Sequence, residues 1–313
     1  MRFHIIMKKA LLDMMNPKRT ILYLGIILLI PFIFTIIAEN ETIFDFASMS
    51  LPMQMQMITS IFIITSFIWI AGIPMVVFAS ANCGSFISRE DETGTLLILV
   101  SKPIRRWEIM LGKFLAFMIV VTLLELTSIL ASLLLLYYRL PLDPMSLTTM
   151  LNIVPQIFFY SLFVAFVFAS ISAGLSAFFK NRTKILITLI AMVILIYFGF
   201  MVIRNWTEAS GIYEYYGFNM IDVNYHLGNA YVTFLQSSGY RIIPPFQGIL
   251  GTFTGTHESM DPIKVFDQDI GAMPPEVPAK NYVSPAVSIS LWLALAFSIL
   301  SAGIIWFQRK EIM

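Results

Sequence analysis

Charged residues are scarce in this 313-residue sequence: Asp, Glu, Lys and Arg together make up 12% of it. A soluble globular chain carries about 25%. There is one cysteine, Cys83, so no intrachain disulfide can form and a disulfide scaffold is excluded. Three histidines are scattered along the chain. The sequence lacks G-x-x-x-x-G-K-[ST], G-x-S-x-G and H-E-x-x-H, which removes the usual signatures of nucleotide hydrolysis, acyl transfer and zinc proteolysis. Gly112-Lys113 is followed by Phe114 at the start of an apolar run, so it is no phosphate loop. Net charge is +1, from 20 basic and 19 acidic residues, and gives no excess of positive charge for nucleic acid. The first twenty residues carry Lys8, Lys9 and Asp13 among their apolar residues and show no small-residue cleavage site, unlike a secretory signal.

What is abundant is apolar surface. Hydrophobic residues are 58% of the chain and mean hydropathy is +0.81. A water-soluble fold of this size could not bury that much. A bilayer core needs about 20 apolar helical residues. Six stretches meet that length: Ile21–Ala38, Ile58–Ala81, Phe114–Tyr138, Ile153–Phe179, Ile185–Ile203 and Val283–Phe307. The fourth and fifth are separated only by Lys180-Asn181-Arg182-Thr183-Lys184, which reads as a tight turn because three cations cannot sit cheaply in hydrocarbon. One very long helix is the alternative.

Basic residues alternate with the connections. The N-terminal segment holds five, the second connection five, the fourth three and the C-terminus two, which is 15 of the 20. The first connection holds none and the third only Arg139. Both termini are therefore expected in the cytoplasm. Before the first span, Phe3, Ile6, Met7, Ala10, Leu11 and Met14 fall on one helical face and His4, Lys8, Lys9, Asp13 and Asn16 on the other. That pattern predicts an amphipathic helix in the membrane interface. The expected fold is an all-α polytopic membrane protein. Its segments are an elbow helix (1–19), spans one to five (20–203), an outer cap (204–284) and span six with a short tail (285–313).

The cap region holds seven of the twelve tyrosines, too many aromatics for a disordered loop. It is expected to contain a helix around Asp222–Ser237, with Pro244-Pro245 and Met273–Pro278 extended. Its aromatics suit interface anchoring, and its surface offers a site for an extracytoplasmic partner. Asp222 and His226, four residues apart, suit a pair on one helix face. Two N-x-T triplets, at Asn40 and Asn205, decide nothing.

Three further features carry chemistry. Glu125 lies in the middle of the third span, where an ionisable group is a candidate for the translocation pathway. The plain alternative is a carboxyl bonded to a neighbouring helix through a hydroxyl, with Thr122, Thr127 and Ser128 at hand. Met53, Met55 and Met57 form an M-x-M-x-M run whose thioethers would suit Cu(I), although Met also fills gaps at membrane interfaces. Gly72-Ile73-Pro74 interrupts the second span.

The most informative stretch is residues 88–113, SREDETGTLLILVSKPIRRWEIMLGK. Ser88 with Asp91 suits a capping box on a short helix, and Pro103 would end it. Glu92, Gly94-Thr95-Leu96, Leu99, Pro103, Arg106, Gly112 and Lys113 resemble the E-x-G-T-L-x-x-L-x-x-x-P-x-x-R-x-x-x-x-x-G-K signature of type-2 ABC transporter permeases, the ABC-2 exporters. The resemblance implies that residues 88–107 couple to a separate nucleotide-binding subunit. The matching or adjacent positions are Arg89, Glu90, Glu92, Gly94, Thr95, Leu96, Leu99, Pro103, Arg105 and Arg106. It further implies a prokaryotic cytoplasmic membrane, a second permease protomer (most simply a homodimer), ATP and Mg2+ in the partner, and no catalytic residue or cofactor here. An ATP-independent carrier or channel, or a copper-handling permease of the same family, are the competing readings.

Overall fold

The computed structural model describes residues 2–39, 46, 48–96, 104–179, 181–208, 210–240, 242–258 and 277–310. Among the described residues, six helices are long and apolar enough to cross a membrane: Pro17–Ala38, Leu51–Cys83, Arg106–Arg139, Pro144–Phe178, Thr183–Thr207 and Pro285–Arg309. They are spans one to six. With an even number of spans, both ends of the chain meet at one end of the bundle. The long fifth connection lies at the other, the cap end. Among the described residues there is no strand, only an isolated antiparallel bridge between His257 and Ala279.

Three spans start well before their hydropathy runs: span two at Leu51, span three at Arg106 and span four at Pro144. Span two takes in the Met-Gln run from Leu51, with Pro52 in its first turn. Span four begins at Pro144, where the Asp143 side chain accepts from the Met145 amide at 2.8 Å. Lys180–Lys184 does separate two helices, one ending at Phe178 and the next starting at Arg182. The interruption at Gly72 is also real: a π-helical turn over Ser66–Ile70 precedes it, and a new helix starts at Ile73. A Cβ on Gly72 would lie 2.5 Å from the Phe67 carbonyl oxygen, so only glycine fits that close turn.

Span four is the centre of the bundle, with 78% of its apolar window buried, against 28% for spans one, five and six. Its small residues let span six approach closely, and a Cβ on Gly303 would lie 2.6 Å from the Gly174 Cα. The elbow helix, Arg2–Met14, packs on the start of span three. Its predicted apolar face is the face that packs, and Ile6 closes over Gly112 of the signature.

At the cap end, the helix Val223–Gln236 is wedged into the bundle. The Tyr231 hydroxyl donates to the Ile63 carbonyl at 2.7 Å, and its ring packs on Phe67 and Tyr160. One expectation fails here. Pro244 starts a helix, Pro244–Thr254, because proline is well suited to a first turn. The other Pro-containing stretch falls mostly outside the described residues.

Candidate functional site

The segment expected to couple to a partner begins with a short helix, Ser88–Glu92, beyond the end of span two. The capping box expected at Ser88 and Asp91 does not form. Ile87 occupies the cap position, and the Ser88 hydroxyl donates backward to the Gly84 carbonyl at 3.0 Å. Asp91 is engaged elsewhere. The helix stops at Gly94, whose φ of +68° is the left-handed conformation that favours glycine. Nothing lies within 4 Å of a Cβ placed there, so backbone conformation rather than space accounts for the glycine.

The segment has two faces. Arg89, Glu92, Thr93, Gly94, Thr95 and Arg105 are exposed, and Thr93 and Thr95 share a hydroxyl–hydroxyl bond of 2.8 Å. Turned inward are Glu90, Asp91 and Leu96, the last only 1% exposed. Glu90 accepts from the Lys113 ammonium of span three at 2.5 Å, and Lys113 also donates to the Phe86 carbonyl at 2.7 Å. Asp91 accepts from Lys310, just beyond span six, at 2.7 Å. Arg106, the signature arginine, turns away from the exposed face. It donates to the carbonyls of Phe307 (3.1 Å), Gln308 (3.4 Å) and Lys310, and lies over the Phe307 ring. These are the unsatisfied carbonyls at the C-terminus of span six, where a cation is favoured. Leu99 and Pro103 lie outside the described residues.

A cleft of about 770 Å³ separates this segment from the elbow helix. Lys9, Asp13 and Arg19 line one wall, and Arg89 and Glu90 the other.

Glu125 is fully buried and accepts from the Tyr23 hydroxyl of span one at 2.5 Å. Ser161 of span four lies beside it, and its other oxygen has no hydrogen-bond partner. The local hydroxyls do not supply the bond: Thr122 and Thr127 donate to carbonyls of their own helix, and Ser128 is unpartnered. Tyr23, from a span that sequence reasoning did not connect to Glu125, is its partner. Near the cap end, Met53 is 48% exposed and Met57 7%. Residues two apart on a helix point about 200° apart, so Met55 faces away from both. Gln54, within that run, is held by side-chain hydrogen bonds. It donates to the carbonyls of Phe46 and Pro141 and accepts from the Asp143 amide, at 2.9, 3.1 and 2.9 Å. Among the described residues no group of three or more His, Cys, Asp or Glu could hold a metal.

The expected Asp222–His226 pair is absent. Asp222 is the cap residue of its helix, accepting from the Tyr225 amide at 3.0 Å. It also accepts from Arg204, at 3.1 Å from Nε and 2.6 Å from Nη2, and from the Tyr213 hydroxyl at 2.8 Å. Burial, and then the Asp222 charge, hold the Tyr213 phenol well above its usual value, so it stays a donor. His226 instead bonds Ser288 of span six at 2.9 Å and the Met220 carbonyl at 3.0 Å.

Six apolar helices, an amphipathic elbow helix and a charged segment outside the membrane-crossing part define an all-α polytopic membrane protein. The family model of ABC-2 family transporter proteins matches residues 5–311, and the chain belongs to that family. It is thus a permease subunit of an ABC-type transporter. A search of curated proteins finds no match.

Proposed function

We propose that this chain is the membrane half of an ATP-driven exporter, coupled to a separate ATPase subunit that binds ATP and Mg2+. The observation that carries this reading is the two-faced coupling segment. Its outward face, Arg89, Thr93, Thr95 and Arg105, offers charges and hydroxyls to a partner, while its inward face is ionically bonded to spans three and six. A segment that only covered the membrane surface would need no such division. The excess of Lys and Arg supports a cytoplasmic position for this end, with both termini, in the prokaryotic cytoplasmic membrane that the family resemblance implies. Six spans make half of a transporter, and a second copy completes it most simply.

In this arrangement Glu125 joins spans one and three, and it belongs to a translocation pathway that opens only when those spans part. For ATP to do work, its bound and free states must hold the coupling segment differently.

The test is co-purification from native membranes. The chain should bring down a P-loop ATPase, and the double charge reversal Arg89→Glu/Arg105→Glu should weaken that association by about tenfold or more, as expected for central interface residues. The variant should still insert in the membrane. Absence of any P-loop protein, or full retention by the variant, would refute the reading.

A further inference from the structure

The acidic run of the coupling helix sends two adjacent carboxylates to two different spans. Glu90 goes to Lys113 at the base of span three, and Asp91 goes to Lys310 at the end of span six. These are partly buried pairs, with side-chain exposures of 13–19%. Arg106 adds a second hold on span six by capping its last carbonyls. Span six is one unbroken helix of 25 residues. At its far end, Ser288 bonds His226 at 2.9 Å and Asn229 at 3.1 Å, both on the wedged cap helix. Asn229 also donates to the Val283 carbonyl at 2.8 Å. Polar contacts thus run from the coupling helix, along one stiff rod, to the cap.

We infer that span six transmits movement of the coupling helix to the cap, with Lys310 and Arg106 as the positioning residues that fasten its near end. The inference rests on the proposed coupling to an ATPase, but it concerns a route that such coupling does not require. Span three alone, held by Lys113, is continuous with the segment and would otherwise suffice.

The experiment uses the full chain with its co-purified ATPase in membranes. Ala286→Cys places an exposed thiol at the cap end of span six, and the native Cys83 is fully buried. Labelling by a membrane-impermeant maleimide is followed with and without Mg-ATP and vanadate. The expected result is a nucleotide-dependent change of about fivefold in labelling rate, which corresponds to a bias of roughly 1 kcal/mol. Lys310→Glu should abolish the change without releasing the ATPase. Lys310→Arg should retain it, and the exchanged pair Asp91→Lys/Lys310→Glu should restore it. A purely structural role for Lys310 would not give nucleotide-dependent rescue by the exchanged pair.

The inference is overturned if labelling at residue 286 ignores nucleotide while the ATPase is bound. It is equally overturned if Lys310→Glu leaves the response intact or the exchanged pair fails to restore it. Loss of the ATPase from the unmodified chain would instead overturn the functional reading, and the inference with it.

Discussion

Replacing Asp222 with alanine would remove the acceptor of four hydrogen bonds and leave the Arg204 guanidinium in a site where it is 1% exposed. Breaking a buried ion pair from one side costs about 3–5 kcal/mol, because the remaining charge stays desolvated. Loss of the helix cap adds about 1 kcal/mol. The sum of about 4–6 kcal/mol is comparable to the whole stability of a small domain. The cap helix should therefore open before the bundle does. Amide hydrogen exchange over Val223–Gln236 reads this directly, and the amides that exchange only when this helix opens should exchange about a thousandfold faster, equivalent to about 4 kcal/mol. Asp222→Asn keeps a side-chain oxygen for the cap and should separate the charge from the capping contribution. Arg204→Met combined with Asp222→Ala should recover most of the loss, since an apolar replacement of both partners is often neutral. Exchange less than about tenfold faster in Asp222→Ala, equivalent to about 1.4 kcal/mol, would show that the pair does not hold the cap, and the reasoning would fail.

Two further outcomes test the packing. Burial lowers the His257 imidazole below its usual value, so the native cap takes up a proton less readily than the unfolded chain. Its stability is full above about pH 6.5 and falls as pH drops through that value toward the lowered native one. Exchange over Pro244–Thr254, corrected for intrinsic rates, should therefore rise between pH 7.5 and pH 5.5, as ordinary assay points on either side of that value. His257→Gln should remove the dependence. Separately, Gly303→Val should force span six off span four and lower stability by about 1–3 kcal/mol, measured as thermal unfolding in detergent. Gly25→Val, at a position with nothing within 4 Å of a Cβ, is the control that should show no such loss.

The bundle was legible in the sequence because the bilayer imposes a length and a composition on each span, and both are local properties. The elbow helix was legible for the same reason, since its apolar stripe repeats within one helix. Helix starts were less so: the spans beginning at Leu51 and Pro144 include polar residues that a hydropathy run excludes, and capping at Asp143 supplies the missing signal. Pro244-Pro245 misled because proline favours both extended chain and a first helical turn, and only the following residues distinguish the two.

The candidate site divides along the same line. Its glycine, its short helix and its exposed charges follow from a contiguous motif. The partners of its inward carboxylates do not. Asp91 and Lys310 are 219 positions apart, and Tyr23 and Glu125 are 102 apart. No periodicity links such pairs, because each is made by packing whole spans side by side. A run of three acids at a helix start reads most simply as a favourable interaction with the helix dipole. The structure uses Glu90 and Asp91 as separate attachments to spans three and six, and that use becomes visible only when the end of span six arrives beside them. On the proposed route the fastening residues are those whose sequence context looks most ordinary, and Lys310, just beyond the last turn of span six and with no motif of its own, is the position where that argument is most exposed to test.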